Sequence, residues 1–475
     1  MKRLSSRSDS VMNTMKTLKT MSARDVPLIA IIGSTGCSKT RLSLELCHEF
    51  RAEIISADSM QVYCGLDIIT NKATTSERAL TPHHLIDFLD PMSRFTVTDF
   101  RNRALKVIKD LMSRGIVPIL VGGTNYYIES ILWEVLIDSN QELDEKCLVF
   151  DGEEGCHQWS EEELTKERIM SEPIYSGSFS DISSEILHKI LEQLDPITAL
   201  EIHPKNKRKV IRSLQIYQQK KRPKSELISE QKTMNGGSQL GGPLRFKNSV
   251  ILWMDCDNNV LNQRLDKRVD EMMERGLIEE LLDFHHNYNK QRISQNLSAD
   301  YSKGIFQSIG FKEFHKYLLL TEEQRKTNPF SEIMLRESTE SLKYVTKRYA
   351  RHQLKWIRNR FLRLNDREVP NIYRLDTTSP ELWTQEVFEP SMAIVSAYVT
   401  KSEVPSHIKP VPKIEVNENH SKRFQCKDCS KVLDGLVAYE AHLKSKGHEY
   451  NLKLKRKRHL ELISILKSYE NEIKS

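Results

Sequence analysis

The stretch GSTGCSKT at residues 33–40 carries groups that bind phosphate in proteins. It follows the apolar run VPLIAIIG, which predicts a buried strand, and it precedes a helical pattern over residues 39–51. In this setting backbone N–H groups attract phosphate oxygens, Lys39 reaches a terminal phosphate and the Thr40 hydroxyl binds Mg²⁺. We therefore predict a phosphate site formed by Gly33, Ser34, Thr35, Gly36, Cys37, Ser38, Lys39 and Thr40.

Ser38 departs from the usual pattern G-x-x-x-x-G-K-[ST], because it stands where that pattern has glycine. If the position needs a positive φ, a residue with a β-carbon there costs roughly 1–2 kcal/mol. Such strain is tolerable in a packed loop, so we still predict phosphate binding. The motif alone leaves open whether the phosphate belongs to a nucleotide.

Three further apolar runs predict the strands that hold this loop in place. AEIIS ends shortly before Asp58, IVPILV ends at the pair Gly122 and Gly123, and SVILWMDCD spans residues 249–257. Because helix-length segments separate the strands, we predict an α/β fold with a parallel sheet.

Changes in pattern along the chain predict its domains. Residues 135–247 are mostly polar with helical periodicity, which indicates a helical insertion. The predicted segments are a core in two parts (26–134 and 248–400, the second with basic helices), the insertion (135–247), a linker (401–423), a zinc finger (424–450) and a basic helical tail (451–475).

The composition narrows the class of protein and the kind of partner. Of the 475 residues, 39% are hydrophobic and 29% are charged, which fits a soluble protein of two or three domains. No run of 18 apolar residues occurs, so we predict no transmembrane helix and no membrane partner. Basic residues cluster at 205–224, at 343–363 and after residue 444. These clusters favour a polyanionic partner, although a solvated helix face is the alternative for any one cluster.

The first 25 residues are basic, rich in Ser and Thr, and poor in acids. This composition is typical of a mitochondrial transit segment, and a plain disordered terminus is the alternative. Met12, Met15 and Met21 are candidate alternative starts that would leave some product in the cytosol. We therefore expect the protein in the mitochondrion and the cytoplasm.

The C-terminal region contains a candidate metal site. Two cysteines and two histidines follow the spacing C-x₂-C-x₁₂-H-x₅-H, which suits tetrahedral Zn²⁺: Cys426, Cys429, His442 and His448. We expect Phe424 and Leu436 to form the small core of this finger. The basic tail after it is a candidate for binding RNA backbone, for nuclear localisation, or for neither.

Between the phosphate loop and the linker, the chain contains a series of motifs. Their sequences and order resemble those of the tRNA dimethylallyltransferase (isopentenyltransferase) family. The motifs are SADSMQVYCGLDIITNKAT, PHHLIDF, VTDFRNRA, VGGTNYYIES, HPKNKRKVIRSLQIY, RLDKRVDEMMERGLIEEL, GIFQSIGFKEF and TKRYARHQLKWIRNRF. The resemblance covers residues 26–363, and the finger is similar to the U1-like or matrin-type finger of the eukaryotic form. It implies a P-loop-type core and transfer of a dimethylallyl group from its diphosphate to N6 of adenosine 37 in tRNA, by a monomer.

Under this resemblance the loop holds a diphosphate leaving group instead of ATP. Charge builds on the departing oxygens, so catalysis needs cations and N–H donors aimed at them. Lys39, the loop amides, Mg²⁺ near Thr40 and Arg268 are similar to the groups that the family uses. For Arg268 the alternative is a helix-surface ion pair with Asp266 or Asp270.

Asp58 resembles the general base of the family. An exocyclic adenine amine is a poor nucleophile, and it needs its proton removed as it attacks. The alternative for Asp58 is the N-cap of a helix. Thr124 resembles a residue that contacts the target nucleotide, and the alternative is a hydroxyl that caps the following helix.

Adenosine 37 must leave its stack to reach a buried base, so we expect it to be flipped into a channel. Phosphate contacts elsewhere on the tRNA can offset the cost of unstacking. The expected tRNA contacts lie in three segments, and Trp356 beside the last of them is expected to be a core residue. They are Asp58, Ser59, Met60, Gln61 and Thr124, then Arg208, Lys209, Val210, Ile211 and Arg212, and then Lys347, Arg348 and Arg351.

Two other functions remain open from the residues. A small-molecule P-loop kinase explains the loop but neither the basic helices nor the finger. A nucleic-acid-binding finger protein with an inactive core explains Ser38, but it does not explain why Lys39, Asp58 and Arg268 are all present.

Overall fold

The computed structural model describes residues 21–134, 166–171, 179, 182–233, 241–294, 304–364, 367–412, 414–415, 423–429 and 431–456. Several sequence expectations fall outside these residues: most of the transit segment, the first 31 residues of the insertion (135–165), its glycine-rich end (234–240), part of the linker (416–422) and the end of the tail (457–475).

Six parallel strands form the central sheet, in the order β3-β2-β4-β1-β5-β6. The strands are β1 (Leu28–Gly33), β2 (Ala52–Ser56), β3 (His83–His84), β4 (Val117–Val121), β5 (Ser249–Asp255) and β6 (Asn371–Asp376). Every residue of β1, β4 and β5 is buried, which explains why these strands are continuous apolar runs. The predicted α/β class and parallel sheet are confirmed.

Two of the six strands were not predicted, and both lie at an edge of the sheet. β3 has only two residues, and β6 contains three exposed residues among its six. Edge strands are often short or polar on one side, so neither gives the continuous apolar pattern of a central strand.

The described helices cover the sheet and build the insertion and the finger. In chain order they are α1 (Lys39–Glu49), α2 (Thr75–Leu80), α3 (Val97–Ser113), α4 (Asn125–Leu132), α5 (Lys166–Ser171), α6 (Ser184–Leu194), α7 (Pro196–Glu201), α8 (Lys207–Lys220), α9 (Lys224–Thr233), α10 (Asn258–Glu274), α11 (Leu277–Ser294), α12 (Phe311–Leu318), α13 (Glu322–Thr327), α14 (Ser331–Ile357), α15 (Glu389–Thr400) and α16 (Leu436–Leu443). Short helical turns occupy Gly304–Gln307, Arg358–Leu362, Pro380–Leu382 and Thr384–Phe388, and Arg363–Leu364 and Ile414–Glu415 are two-residue strands. No described helix is long and apolar enough to cross a bilayer.

The long helix α14 positions much of the site, because its buried residues belong to two hydrophobic clusters. Ala350, Leu354 and Ile357 pack into the core of the sheet. Leu342, two turns earlier than Ala350, packs into a second cluster with residues of α10, α11 and α12. The buried face between these anchors therefore has a fixed position beside the sheet.

The chain forms two compact units, the first within residues 1–151 and 234–413 and the second within 152–233 and 414–475. The first contains the sheet. In the second, helices α6 and α8 bury Leu187, Leu191, Val210 and Leu214 in a small core of the insertion.

The finger is an antiparallel pair of strands followed by α16. Strands β7 (Arg423–Gln425) and β8 (Val432–Asp434) pair directly, and Phe424 stacks on Tyr439 with 5.2 Å between ring centroids. The expectation for Leu436 is wrong: it lies at the first position of α16, with 38% of its surface exposed. Tyr439, one turn later in α16, is the residue that packs on Phe424.

Candidate active site at the carboxyl edge of the sheet

Three loops meet at one edge of the sheet because β2, β4 and β1 are neighbours and run parallel. The carboxyl end of β1 leads into the phosphate loop at residues 33–40, that of β2 leads to Asp58, and that of β4 leads to the Gly122–Gly123 turn. In open α/β sheets this edge is where ligands bind.

Lys39 folds back over the phosphate loop at the start of α1. Its Nζ donates to the carbonyls of Gly33 at 3.1 Å and Ser34 at 2.8 Å. The side chain is half-buried, and loss of hydration lowers the pKa of Lys39 to about 8, while the nearby Asp58 carboxylate raises it. A cation with a lowered pKa has much to gain from an anionic ligand.

The rest of the loop is packed closely against α10. Gly36 has φ +88°, and a β-carbon there would lie 2.9 Å from the Leu265 side chain, so both backbone and space require glycine. Cys37 is fully buried, 3.1 Å from the Ser34 hydroxyl, and burial raises the pKa of its thiol. Thr40 is exposed in the first turn of α1.

Ser38 has φ +53° and ψ +32°, so the loop does place a residue with a β-carbon in the left-handed region. The structure gives it no side-chain hydrogen bond to the helix that follows. The strained position is therefore the one where the usual motif has glycine.

Ser38→Gly is expected to stabilise the protein by about 0.5–1 kcal/mol, because relief of left-handed strain exceeds the backbone entropy that glycine loses. The melting temperature should rise accordingly. Ser43→Gly is the matched control, since Ser43 lies inside α1, where glycine destabilises a helix. A lower melting temperature for Ser38→Gly would contradict the assignment of strain.

Arg268 of α10 faces the phosphate loop. Its Nη1 donates to the Thr35 hydroxyl at 2.6 Å, and burial lowers the pKa of the guanidinium to about 10. Its Nε has no hydrogen-bond partner among the described residues. The alternative ion pairs are not formed, since Asp266 and Asp270 each pair with a lysine of α14 at 2.7 Å.

Asp58 lies just beyond β2, at the carboxyl edge of the sheet. Oδ1 accepts the backbone N–H of Met60 at 2.9 Å. Burial raises the pKa of Asp58, against the opposing effects of backbone N–H donors and the Lys39 charge. No helix follows directly, since the next one, α2, is capped by Thr74, so Asp58 is not a helix N-cap. A half-buried carboxyl with a raised pKa has the properties of a general base.

The turn after β4 approaches Asp58 closely. A β-carbon on Gly122 would lie only 2.1 Å from the carbonyl oxygen of Ala57, so glycine allows this approach. The Thr124 hydroxyl accepts the Ser59 N–H at 3.0 Å and donates to the Ser59 hydroxyl at 3.2 Å. The expected alternative, in which this hydroxyl caps α4, is wrong.

Gln61 and Met60 are turned toward the protein. The Gln61 amide oxygen accepts from the Ser56 hydroxyl at 3.1 Å, and its nitrogen donates to the carbonyls of Thr70 and Asn71, both at 3.1 Å. Met60 packs against the second hydrophobic cluster. In this structure Gln61 holds the loop that follows it, and its amide is already occupied.

Two uncharged residues of α14 also reach the site, and we did not predict their contacts from the sequence. The Gln353 amide oxygen accepts the Thr35 N–H at 2.8 Å, and its nitrogen donates to the Gly123 carbonyl at 2.8 Å. Tyr349 lies beside Thr124 and Gln353, and burial raises the pKa of its hydroxyl. Their spacing of four residues places them on one face of the helix, and this spacing is the sequence feature from which a shared site could have been predicted.

The basic residues predicted to meet tRNA are mostly exposed. On α14, Arg348 and Arg351 are exposed, whereas Lys347 pairs with Asp266. In the insertion unit, Arg208, Lys209 and Arg212 are exposed on α8. Val210 is fully buried there and Ile211 packs partly against the same cluster, so these two side chains support the helix. Trp356 packs against the core of the sheet, as expected.

The finger brings its four candidate ligands together. One ligand atom from each of Cys426, Cys429, His442 and His448 lies within 4.8 Å of all the others. Cys429 Sγ lies 3.2 Å from His448 Nδ1, and the buried His442 Nε2 has no partner among the described residues. This donor set fits a structural Zn²⁺ ion, which would give the orphaned nitrogen a partner.

A loop of this sequence with two cations, beside a carboxylate at the carboxyl edge of a parallel sheet, is typical of α/β enzymes that act on phosphorylated substrates. Residues 61–360 match the model of the IPP transferase family, and the chain belongs to that family.

Relatives support the same assignment. The chain is 44% identical to the tRNA dimethylallyltransferase of Mus musculus, over 94% of this chain and 90% of the relative. It is 42% identical to that of Homo sapiens, with the same coverage of both chains. A solved structure, a eukaryotic dimethylallyltransferase acting on tRNA, has 27% identity and a TM-score of 0.67, with 92% of this chain and 99% of that chain covered. The family suggested by the sequence motifs is thereby confirmed.

Proposed function

We propose that this enzyme transfers a dimethylallyl group from dimethylallyl diphosphate to N6 of adenosine 37, next to the anticodon of tRNA. The observation that carries the proposal is the meeting of Lys39, Arg268 and Asp58 at one edge of the sheet. In the reaction a bond forms between N6 and C1 of the allyl group, and the bond from C1 to the diphosphate oxygen breaks.

The diphosphate leaves into the loop at the start of α1. Lys39 and Arg268 are both cations whose pKa burial lowers, and both bring positive charge to the loop. Cations already held in place stabilise charge that develops on the departing oxygens. Loop N–H groups add to this, although the Thr35 N–H donates to Gln353 and the Cys37 N–H donates to the Ser34 carbonyl.

Asp58 accepts the proton from N6 as that nitrogen attacks. Its raised pKa makes it a stronger base than an exposed aspartate, and the nearby charge of Lys39 favours its ionised form. Thr124 lies beside it, tied to Ser59, where it can orient the flipped base.

Mg²⁺ is the proposed cofactor at the diphosphate, where it would neutralise charge on the phosphate oxygens. Mg²⁺ in such sites takes few protein ligands and binds mainly phosphate oxygens and water. The exposed Thr40 hydroxyl suits this role. Asp255 does not, since it forms an ion pair with Arg374 at 2.8 Å.

tRNA is the proposed partner, bound through Arg208, Lys209 and Arg212 of α8 and through Arg348 and Arg351 of α14. These side chains are exposed, and long-range attraction to phosphates supplies much of the affinity for a nucleic acid. We also propose that the enzyme acts as a monomer, in the mitochondrion and the cytoplasm. The basic tail is a candidate nuclear localisation signal.

Deletion of residues 423–475 is expected to weaken tRNA binding or alter localisation while transfer by the core survives. The reason is that the residues proposed above for transfer and tRNA binding lie in the sheet, its loops and helices α1, α8, α10 and α14, all before residue 423. Transfer is measured at saturating tRNA, with Cys426→Ser in the full chain as a second variant that removes one zinc ligand. A truncated core that folds but has lost transfer would contradict this modular view.

Release of inorganic diphosphate distinguishes the proposal from its rivals. The purified chain, given Mg²⁺, dimethylallyl diphosphate and tRNA, is expected to release diphosphate only when both substrates are present. Turnover of ATP without tRNA would instead favour a P-loop kinase. Binding of tRNA with no diphosphate release would favour an inactive nucleic-acid-binding core.

A further inference from the structure

Gln353 is buried, with 3% of its surface exposed, and its carboxamide lies between two loops that end different strands. It accepts the Thr35 N–H of the phosphate loop and donates to the Gly123 carbonyl of the turn beside Asp58, each at 2.8 Å. A β-carbon placed on Gly123 would meet the Gln353 nitrogen at 2.6 Å and Asp58 Oδ2 at 3.3 Å, which shows how closely these groups approach.

The contacts of Gln353 extend to both halves of the reaction. On one side Thr35 also holds Arg268 through its hydroxyl, at 2.6 Å. On the other side, the Gly123 carbonyl that Gln353 holds belongs to the turn that leads to Thr124, whose hydroxyl accepts the Ser59 N–H. One carboxamide is therefore connected by hydrogen bonds to the diphosphate cation and to the turn that would receive the base.

We propose that Gln353 is a positioning residue that fixes the distance between the diphosphate loop and the base-facing turn. This inference rests on the proposed function, because it concerns how two substrates of that reaction are aligned. N6 must come within about 3–3.5 Å of the allylic carbon, and misplacement by about 1 Å can cost about 100-fold in rate. Gln353 touches neither substrate, and it acts through Thr35 and Gly123.

Gln353→Met keeps the size of the side chain and removes both hydrogen bonds. We expect kcat to fall about 10- to 100-fold, with the Kd for inorganic diphosphate and the Kd for tRNA each within about threefold of wild type. Each loop still binds its own ligand, but the two are no longer held in register. Thr346→Val is the matched control, a similar change at a buried position two turns earlier on α14, and it should leave kcat unchanged.

Gln353→Glu gives a second readout that a merely structural role would not produce. A protonated carboxyl can accept from Thr35 and donate to Gly123, as the amide does, whereas an ionised one cannot donate. The ratio of kcat for this variant to wild type should therefore rise as the pH falls. Asp58, Lys39 and Tyr349 lie in the same site and titrate in both proteins. Dividing by the wild-type kcat at each pH corrects for the pH dependence that they contribute.

The outcomes separate this inference from the proposed function. A wild-type protein with no transfer would overturn both. Normal wild-type transfer with a kcat for folded Gln353→Met within about threefold would overturn the positioning role alone. An equal fall in kcat for Thr346→Val would also overturn the positioning role. So would a fall in transfer by Gln353→Met that is explained by weaker binding of diphosphate or tRNA. If Gln353→Met does not fold, a ratio for Gln353→Glu that is flat with pH overturns the proposal, and a ratio that rises toward acid supports it.

Discussion

Asp58→Ala is expected to slow dimethylallyl transfer by at least about 100-fold while tRNA binding is retained. The carboxylate is the group placed to take the N6 proton, and its raised pKa suits that task. Its loss removes proton transfer but leaves the diphosphate loop and the exposed arginines in place. Single-turnover transfer and tRNA binding are measured on the same preparations.

Asp110→Ala is the control for this change, because Asp110 is an exposed carboxylate on α3. Wild-type transfer should also fall as the pH drops through the pKa of Asp58, since a protonated carboxyl cannot act as a base. That loss should begin at a higher pH than for an ordinary aspartate. Near-normal turnover by Asp58→Ala would contradict the assignment of Asp58 as the general base.

Lys39→Met is expected to lower kcat/KM for dimethylallyl diphosphate by about 100- to 1,000-fold, the effect of removing one held donor to a developing anion. The measurement is steady-state transfer at saturating tRNA. Arg41, in the same turn of α1, is turned away to Glu45, with 2.9 Å between Nε and the carboxylate oxygen. Arg41→Met is therefore the matched control, and it should leave kcat/KM nearly unchanged. An equal loss in both variants would contradict a specific role for Lys39.

The pH dependence of diphosphate binding follows from the same residue. In the free protein the pKa of Lys39 is lowered to about 8, and a bound anion favours the charged amine. Apart from the titration of inorganic diphosphate itself, which is the same for every variant, its affinity should therefore be steady below pH 8 and should decline as Lys39 loses its proton above that pH. Lys39→Arg, which stays charged, should lack this decline. An identical decline in Lys39→Arg would contradict the assignment to Lys39.

Local patterns in the sequence were enough to predict the centre of the sheet and three of its loops. The strand before Gly33, the loop and the helix at Lys39 are contiguous, so a short stretch defines them. Asp58 and the turn at Gly122 each follow a buried strand. Because parallel strands end at one edge, these groups meet there.

Contacts between distant residues could not be predicted in this way. Thr35 and Gln353 are 318 positions apart, and a polar residue within a basic helix gives no sign of which loops it will join. Gln61 shows a related difficulty, because a glutamine amide can hydrogen-bond equally well to an RNA base or to the protein itself. Only the fold decides that its partners are Ser56, Thr70 and Asn71.

The most direct test of the proposed reaction is mass spectrometry of tRNA after incubation with the purified protein, dimethylallyl diphosphate and Mg²⁺. We expect one added dimethylallyl group on N6 of adenosine 37, absent without the diphosphate and strongly reduced with Asp58→Ala. An unmodified adenosine 37, in tRNA that the protein demonstrably binds alongside the diphosphate, would contradict the assignment of Lys39, Arg268 and Asp58 to this transfer.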